Sequence, residues 1–148
     1  MTLAEVVSLP LGADALDWAA LPLRLGLGVV FVHSGSGKFR RGISSTGRWM
    51  ASLGLPFPQP SARLVAATEL GGGLLLLVGL AVPWVGLALA VNMAVATWVE
   101  RTKIGAPFQG SESAQGYELS IVLGLAALAL VFLGAGPLSI DALARDDA

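Results

Sequence analysis

The sequence predicts an all-α fold, a single membrane domain (1–148) built as a bundle of four transmembrane helices. Three observations lead there. Hydrophobic residues make up 55% of the chain and charged residues 13%, about half the charged share of an ordinary soluble domain. The mean hydropathy is +0.75. Four apolar stretches approach the ~20 residues that a helix needs to cross a bilayer.

The first stretch, 18–36, carries Arg24 within it. The next uncharged run, 70–99, is 30 residues long and broken by Pro83, too short for two spans and long for one. The conflict resolves if a second helix starts near Ser61, after Pro58 and Pro60, and the chain turns at 81–84. The second and third spans are then 61–81 and 83–101, which places Glu69 inside the membrane. The alternative is one tilted middle helix and three spans. A fourth span covers 117–135, and GAGPLSID (134–141) ends it, with Ser139 as N-cap of a short last helix and Asp141 in its first turn.

The connecting segments are informative too. STGRWMASL (45–53) sets Trp49 and Met50 beside Arg48, as in a short interfacial helix. GLPFPQP (54–60) is a stiff turn, and 102–116, rich in Gly, Ser and Gln, is the most polar segment. Lys38, Arg40, Arg41, Arg48, Arg63, Arg101 and Lys103 all flank one side, while the other has Arg145 and the intramembrane Arg24. The positive-inside rule therefore puts loops 37–60 and 102–116 in the cytoplasm and both termini outside. The N-terminal stretch has Glu5, Asp14 and Asp17 and no basic region, so it does not read as a signal or transit peptide.

Composition removes several chemistries. With no cysteine, disulfides, thiol catalysis and Fe–S ligation are excluded, and one histidine cannot make a bis-histidine haem site within the chain. No metal site is supported, and no nucleic-acid partner is expected. FVHSGSGKFRRG (31–42) suggests a phosphate loop, but Phe39 follows Gly37-Lys38, Val32 stands at the first glycine position, and the segment continues a membrane span.

Helical geometry at ~100° per residue puts Arg24, Gly28, Phe31, Gly35 and Lys38 on one stripe of the first span, with His33 on the opposite side. Lys38 is read as a cytoplasmic anchor that snorkels to the surface, and His33 as a polar group near the interface. Glu69 shares a face with Ala62, Ala66 and Gly73, and Asn92 with Ala88 and Ala96. Small residues around a polar one suit close helix packing. At ~1.5 Å per residue, Glu69 lies ~12 Å below the cytoplasmic surface, and Arg24 and Glu69 differ in depth by ~9 Å. The expectation is a buried Arg24–Glu69 pair with Asn92 nearby. That cluster is either a pocket for a quinone head group or a network that fixes helix register. Lys38, Tyr117 and Glu118 are secondary candidates, and the helix dipole alone accounts for an acid at Glu118.

Arg24, Gly28, Phe31, Gly35 and Lys38 follow the pattern R-x3-G-x2-F-x3-G-x2-K, and ELGGGLLLLVGL (69–80) follows E-x2-G-G-x-L-L-x2-G. GLP (54–56), GYE (116–118) and GPLSID (136–141) come in the matching order. Together they resemble the DoxX family of small four-helix membrane proteins, over nearly the whole chain from Leu21 to Asp141. The resemblance implies a bacterial or archaeal inner-membrane protein with redox associations. Relatives include the membrane subunit of thiosulfate:quinone oxidoreductase and members tied to oxidative-stress complexes. Two departures stand out. Members often have His-Gly where this chain has Ser34-Gly35, and Arg101 replaces a histidine common near the end of the third helix.

Three functions compete at this point. The chain could be the membrane subunit of a quinone-linked or oxidative-stress redox complex, with a partner supplying the electron chemistry. It could be a non-catalytic scaffold for soluble redox partners at the cytoplasmic face. It could also be a small transporter or permeability factor, as a homo-oligomer.

Overall fold

The computed structural model describes residues 15–146. The expectations about 1–14, about the placement of the two termini and about the Arg145 side chain lie outside the described residues. Within them the fold is all-helical. In order come α1 (Ala15–Arg41), α2 (Ile43–Ser52), α3 (Pro58–Val78), α4 (Val82–Val99), a π-helical turn (Glu100–Ile104), α5 (Glu118–Leu133) and α6 (Ile140–Asp146).

α1 runs five residues beyond its expected end at Ser36, through the glycines of the SGSGK segment. Such a stretch is a poor helix former in water. It stays helical because its glycines let α3 come close. A Cβ on Gly35 would sit 2.5 Å from the backbone nitrogen of Leu70, and one on Gly73 would sit 2.7 Å from that of Val32. Lys38, Arg40 and Arg41 in the last turn complement the helix dipole, and Gly42 at φ 89° ends the helix.

α2 lies across the start of α3, burying Met50 and Gly47 while Arg48 and Trp49 stay exposed. α3 opens with Pro58 in its first turn, three residues earlier than expected, and stops at Gly79 in the left-handed region. The turn into α4 is as tight as expected, with Ala81 also left-handed and Pro83 in the first turn of α4. α1 packs on α3, α3 on α4, α4 on α5 and α5 back on α1, which closes a four-helix bundle. Its core includes Leu27, Phe31, Leu76, Leu89, Met93 and Leu130.

The outward faces are as apolar as the inward ones. Val29, Leu74, Val91, Val122, Leu125 and Phe132 are all exposed, the pattern of helices solvated by lipid. Exposed Trp18 and Trp84 lie towards one end, and Trp49 and Trp98 towards the basic end, as in interfacial aromatic belts. α1, α3 and α4 with its π turn are long and apolar enough to cross a membrane. α5 is apolar but has 16 residues, short of the expected 117–135. Its ends are fixed by the loop fold at Tyr117 and by Gly134 at φ 73°.

The end opposite the basic rim is stitched by the 134–141 segment. Ser139 caps α6, its Oγ accepting the Ala142 N–H at 3.1 Å. Asp141 does more than sit in the first turn of α6. Its Oδ1 and Oδ2 accept the N–H groups of Ala81 (2.8 Å) and Val82 (3.0 Å) at the start of α4. Asp141→Ala is expected to cost about 1–2 kcal/mol, the upper range for a lost N-terminal cap. A thermal-melt series in detergent should place Asp141→Asn between the wild type and the alanine variant. An unchanged melt for both would show that this cap carries no stability.

Candidate functional site

Among the described residues, two charged side chains are deeply buried in the bundle, Arg24 and Glu69, at 1% and 3% exposure. They do not meet. Arg24 Nη1 donates to the carbonyl of Ala135 at 2.5 Å and Nη2 to that of Leu138 at 2.8 Å, so it is engaged by the segment after α5. Glu69 faces the other way along α1. Lys38 Nζ donates to its Oε2 at 2.5 Å, and Asn92 Nδ2 approaches its Oε1 at 3.5 Å. The expected Arg24–Glu69 pair is therefore replaced by a Lys38–Glu69 pair.

The reason is the length of α1. The stripe was read correctly, since Gly28, Phe31 and Gly35 all pack inward with Arg24. Arg24 and Lys38, however, stand 14 residues apart on an unbroken helix, about 21 Å along its axis. A helix ending near Ser36 would leave Lys38 at the surface. Continuing to Arg41, it holds Lys38 against α3, and the lysine does not snorkel: its side chain is 19% exposed and that of Glu69 5%.

Ser34 completes the cluster. Lys38 Nζ donates to its Oγ at 3.0 Å. The signal for Ser34 in the sequence was its i, i+4 spacing from Lys38. His33 is exposed, off the stripe as expected. An ammonium group has three donors, and among the described residues Glu69 and Ser34 are its hydrogen-bond acceptors. The Asn92 amide meets Glu69 only at the limit of hydrogen-bond distance. The cluster thus offers an ammonium donor and a loosely held amide donor beside a carboxylate, enclosed by apolar helices.

Tyr117 and Glu118 belong elsewhere. Glu118 Oε1 accepts the Gly110 N–H at 2.9 Å, and Tyr117 packs edge-on against Phe108 with ring centroids 5.5 Å apart. Both order the loop before α5. Arg101 is exposed in the π turn. Among the described residues no group of three His, Asp or Glu side chains is arranged to hold a metal ion.

A model of the DoxX family matches residues 19–101, the segment that contains Arg24, Ser34, Lys38, Glu69 and Asn92. A Bacillus subtilis (strain 168) protein named "Putative oxidoreductase CatD" is 34% identical over 127 residues, which cover 86% of this chain and 87% of that protein. No solved structure matches the chain.

Proposed function

Because the chain belongs to the DoxX family, we propose that it is the membrane subunit of a quinone-linked or oxidative-stress redox complex, with its site at Lys38, Glu69 and Asn92. The observation that carries this reading is the buried Glu69 carboxylate paired with a half-buried Lys38 between apolar helices. Desolvating two charges costs several kcal/mol each, and well-packed apolar residues often stabilise a core as well or better. A pair kept at membrane depth therefore suits a working site.

The donors fit a quinone head group. In this reading the third Lys38 donor and the Asn92 amide would hydrogen-bond a carbonyl oxygen of the ligand, and Glu69 would exchange a proton with it. A quinone supplies two-electron, two-proton chemistry when bound. This chain supplies positioning and a carboxylate, while a partner supplies the electrons, since the chain has no cysteine. The name of the Bacillus relative is in keeping with a redox role.

In this reading α5 is the fourth span, and the basic end faces the cytoplasm of a bacterial or archaeal inner membrane. The exposed Arg40, Arg41, Arg48 and Arg63 at that end favour a second reading, a scaffold that docks an acidic soluble redox protein. Purification in mild detergent, with mass spectrometry of extracted lipids and co-purifying proteins, separates the two. Quinone is expected with the wild type and not with Glu69→Gln. A stable soluble partner without quinone, unaffected by Glu69→Gln, would move the assignment to the scaffold.

A further inference from the structure

We propose that the rim built from the end of α1, α2 and the start of α3 binds the headgroups of anionic phospholipids, with α2 resting in the headgroup layer. Its ligand is independent of the quinone reading. Residues 38–63 contain Lys38, Arg40, Arg41, Arg48 and Arg63, and no aspartate or glutamate. Glu69, outside that segment, neutralises Lys38. The four arginines are exposed, and among the described residues none of them forms an ion pair with a carboxylate. Charge of one sign gathered at one end of a bundle attracts an anion from outside the chain.

The fold brings these charges together. The chain turns at Gly42 (φ 89°), and α2 packs across the start of α3. A Cβ on Gly47 would overlap the Gln59 side chain, whose Nε2 donates to the Ser44 carbonyl at 3.4 Å. Arg48 follows Gly47 directly, and Arg63 stands one turn beyond Gln59, about 6 Å of helix rise. Arg48 and Arg63 therefore flank one contact between two helices.

The side chains beside the arginines select the ligand. Phe39 precedes Arg40, Trp49 follows Arg48 and Leu64 follows Arg63, and all three are exposed. An arginine next to an exposed apolar side chain on each of three helices suits a ligand that is anionic at one end and apolar at the other. Guanidinium groups take phosphate oxygens in a bidentate grip, and aromatic rings settle at the headgroup level of a bilayer. An acidic soluble protein would satisfy the arginines but set Phe39, Trp49 and Leu64 against a polar surface. Free phosphate would leave them in water.

The test uses Trp49 as reporter. Trp18→Phe, Trp84→Phe and Trp98→Phe, all at exposed positions, leave it as the single tryptophan of the full-length chain. That chain is reconstituted in phosphatidylcholine vesicles carrying a small fraction of phosphatidylglycerol, or of phosphatidylcholine, brominated near the headgroup. Quenching of Trp49 at low salt is expected to show at least about tenfold tighter binding of the phosphatidylglycerol, each surface arginine contributing about fivefold. Arg48→Gln/Arg63→Gln is expected to cut that preference at least about fivefold. Equal quenching by the two lipids with both arginines intact would overturn the proposal, as would a preference that the paired substitution leaves unchanged. Quenching by neither lipid would place the rim clear of the bilayer, overturning it in favour of an acidic protein partner. Loss of the preference on adding inorganic phosphate at constant ionic strength would overturn it in favour of the free anion.

Discussion

Glu69→Ala is expected to destabilise the protein by about 3–5 kcal/mol, because it leaves the Lys38 ammonium without its counter-charge inside an apolar bundle. Lys38→Ala is expected to cost a similar amount, since it leaves the Glu69 carboxylate with only the distant Asn92 amide. Glu69→Gln keeps an acceptor for Lys38 and should fall between. The informative variant is Lys38→Met/Glu69→Leu, which removes both charges and replaces them with apolar side chains of similar size. It should return to within about 1–2 kcal/mol of the wild type, the residue being the unpaired Asn92 and Ser34. Thermal melts in detergent read the stability, and quinone titration reads the site. A working site predicts that the double variant regains its fold and loses quinone binding. If it regains both, the pair only fixes helix register and the functional assignment fails.

Much of this architecture was legible in the chain. Pro58, Gly79, Pro83 and Gly134 punctuate the helices close to where the sequence placed their ends. The conflict over the 70–99 run resolves through a tight turn as expected, but the turn is made by the left-handed Gly79 and Ala81, starting about two residues before the 81–84 position that the apolar lengths suggested. The inward stripe of α1 was legible from spacing, because a helix repeats its faces regularly whatever it packs against. What spacing does not carry is depth. The glycines and serines of 34–37 argue locally for an end of the helix, and only their close approach to α3 keeps it going to Arg41. That tertiary override moved the lysine into the bundle and changed the partner of Glu69. Asp141 shows the same limit. Its place in the first turn of α6 was legible, but its bonds to Ala81 and Val82 join residues about sixty positions apart. No local pattern encodes them.

Buried Arg24 and half-buried Lys38 also divide the labour of the bundle. Lys38 lies with Glu69, an acid that has no helix end to stabilise it. Arg24 lies at the opposite end, where α3 and α5 finish and their carbonyl dipoles point outward. Its guanidinium is forked between the Ala135 and Leu138 carbonyls, and the Asp141 carboxylate interacts with it electrostatically. The cation is held by carbonyls of the segment just beyond α5 and lies beside Gly79 at the C-terminus of α3, while the Asp141 anion meets the N-terminus of α4. Each charge is matched to the dipole it faces.

Arg24→Ala is therefore expected to be a folding variant and not a site variant. It removes two charge-assisted hydrogen bonds, exposes the Ala135 and Leu138 carbonyls to an apolar surround and leaves a cavity where a fully buried side chain stood. The loss should be about 3–5 kcal/mol, and Arg24→Lys should recover only part of it. A compact ammonium cannot fork to two carbonyls as a planar guanidinium does. Per folded molecule, quinone affinity should stay within about twofold of the wild type, because Lys38, Glu69 and Asn92 lie far along the bundle from Arg24. Melting and titration of the same detergent preparation check both halves. A normal melt with abolished binding would restore Arg24 to the ligand site that its sequence position first suggested. A normal melt with normal binding would show that the clamp on the 134–141 segment carries no load.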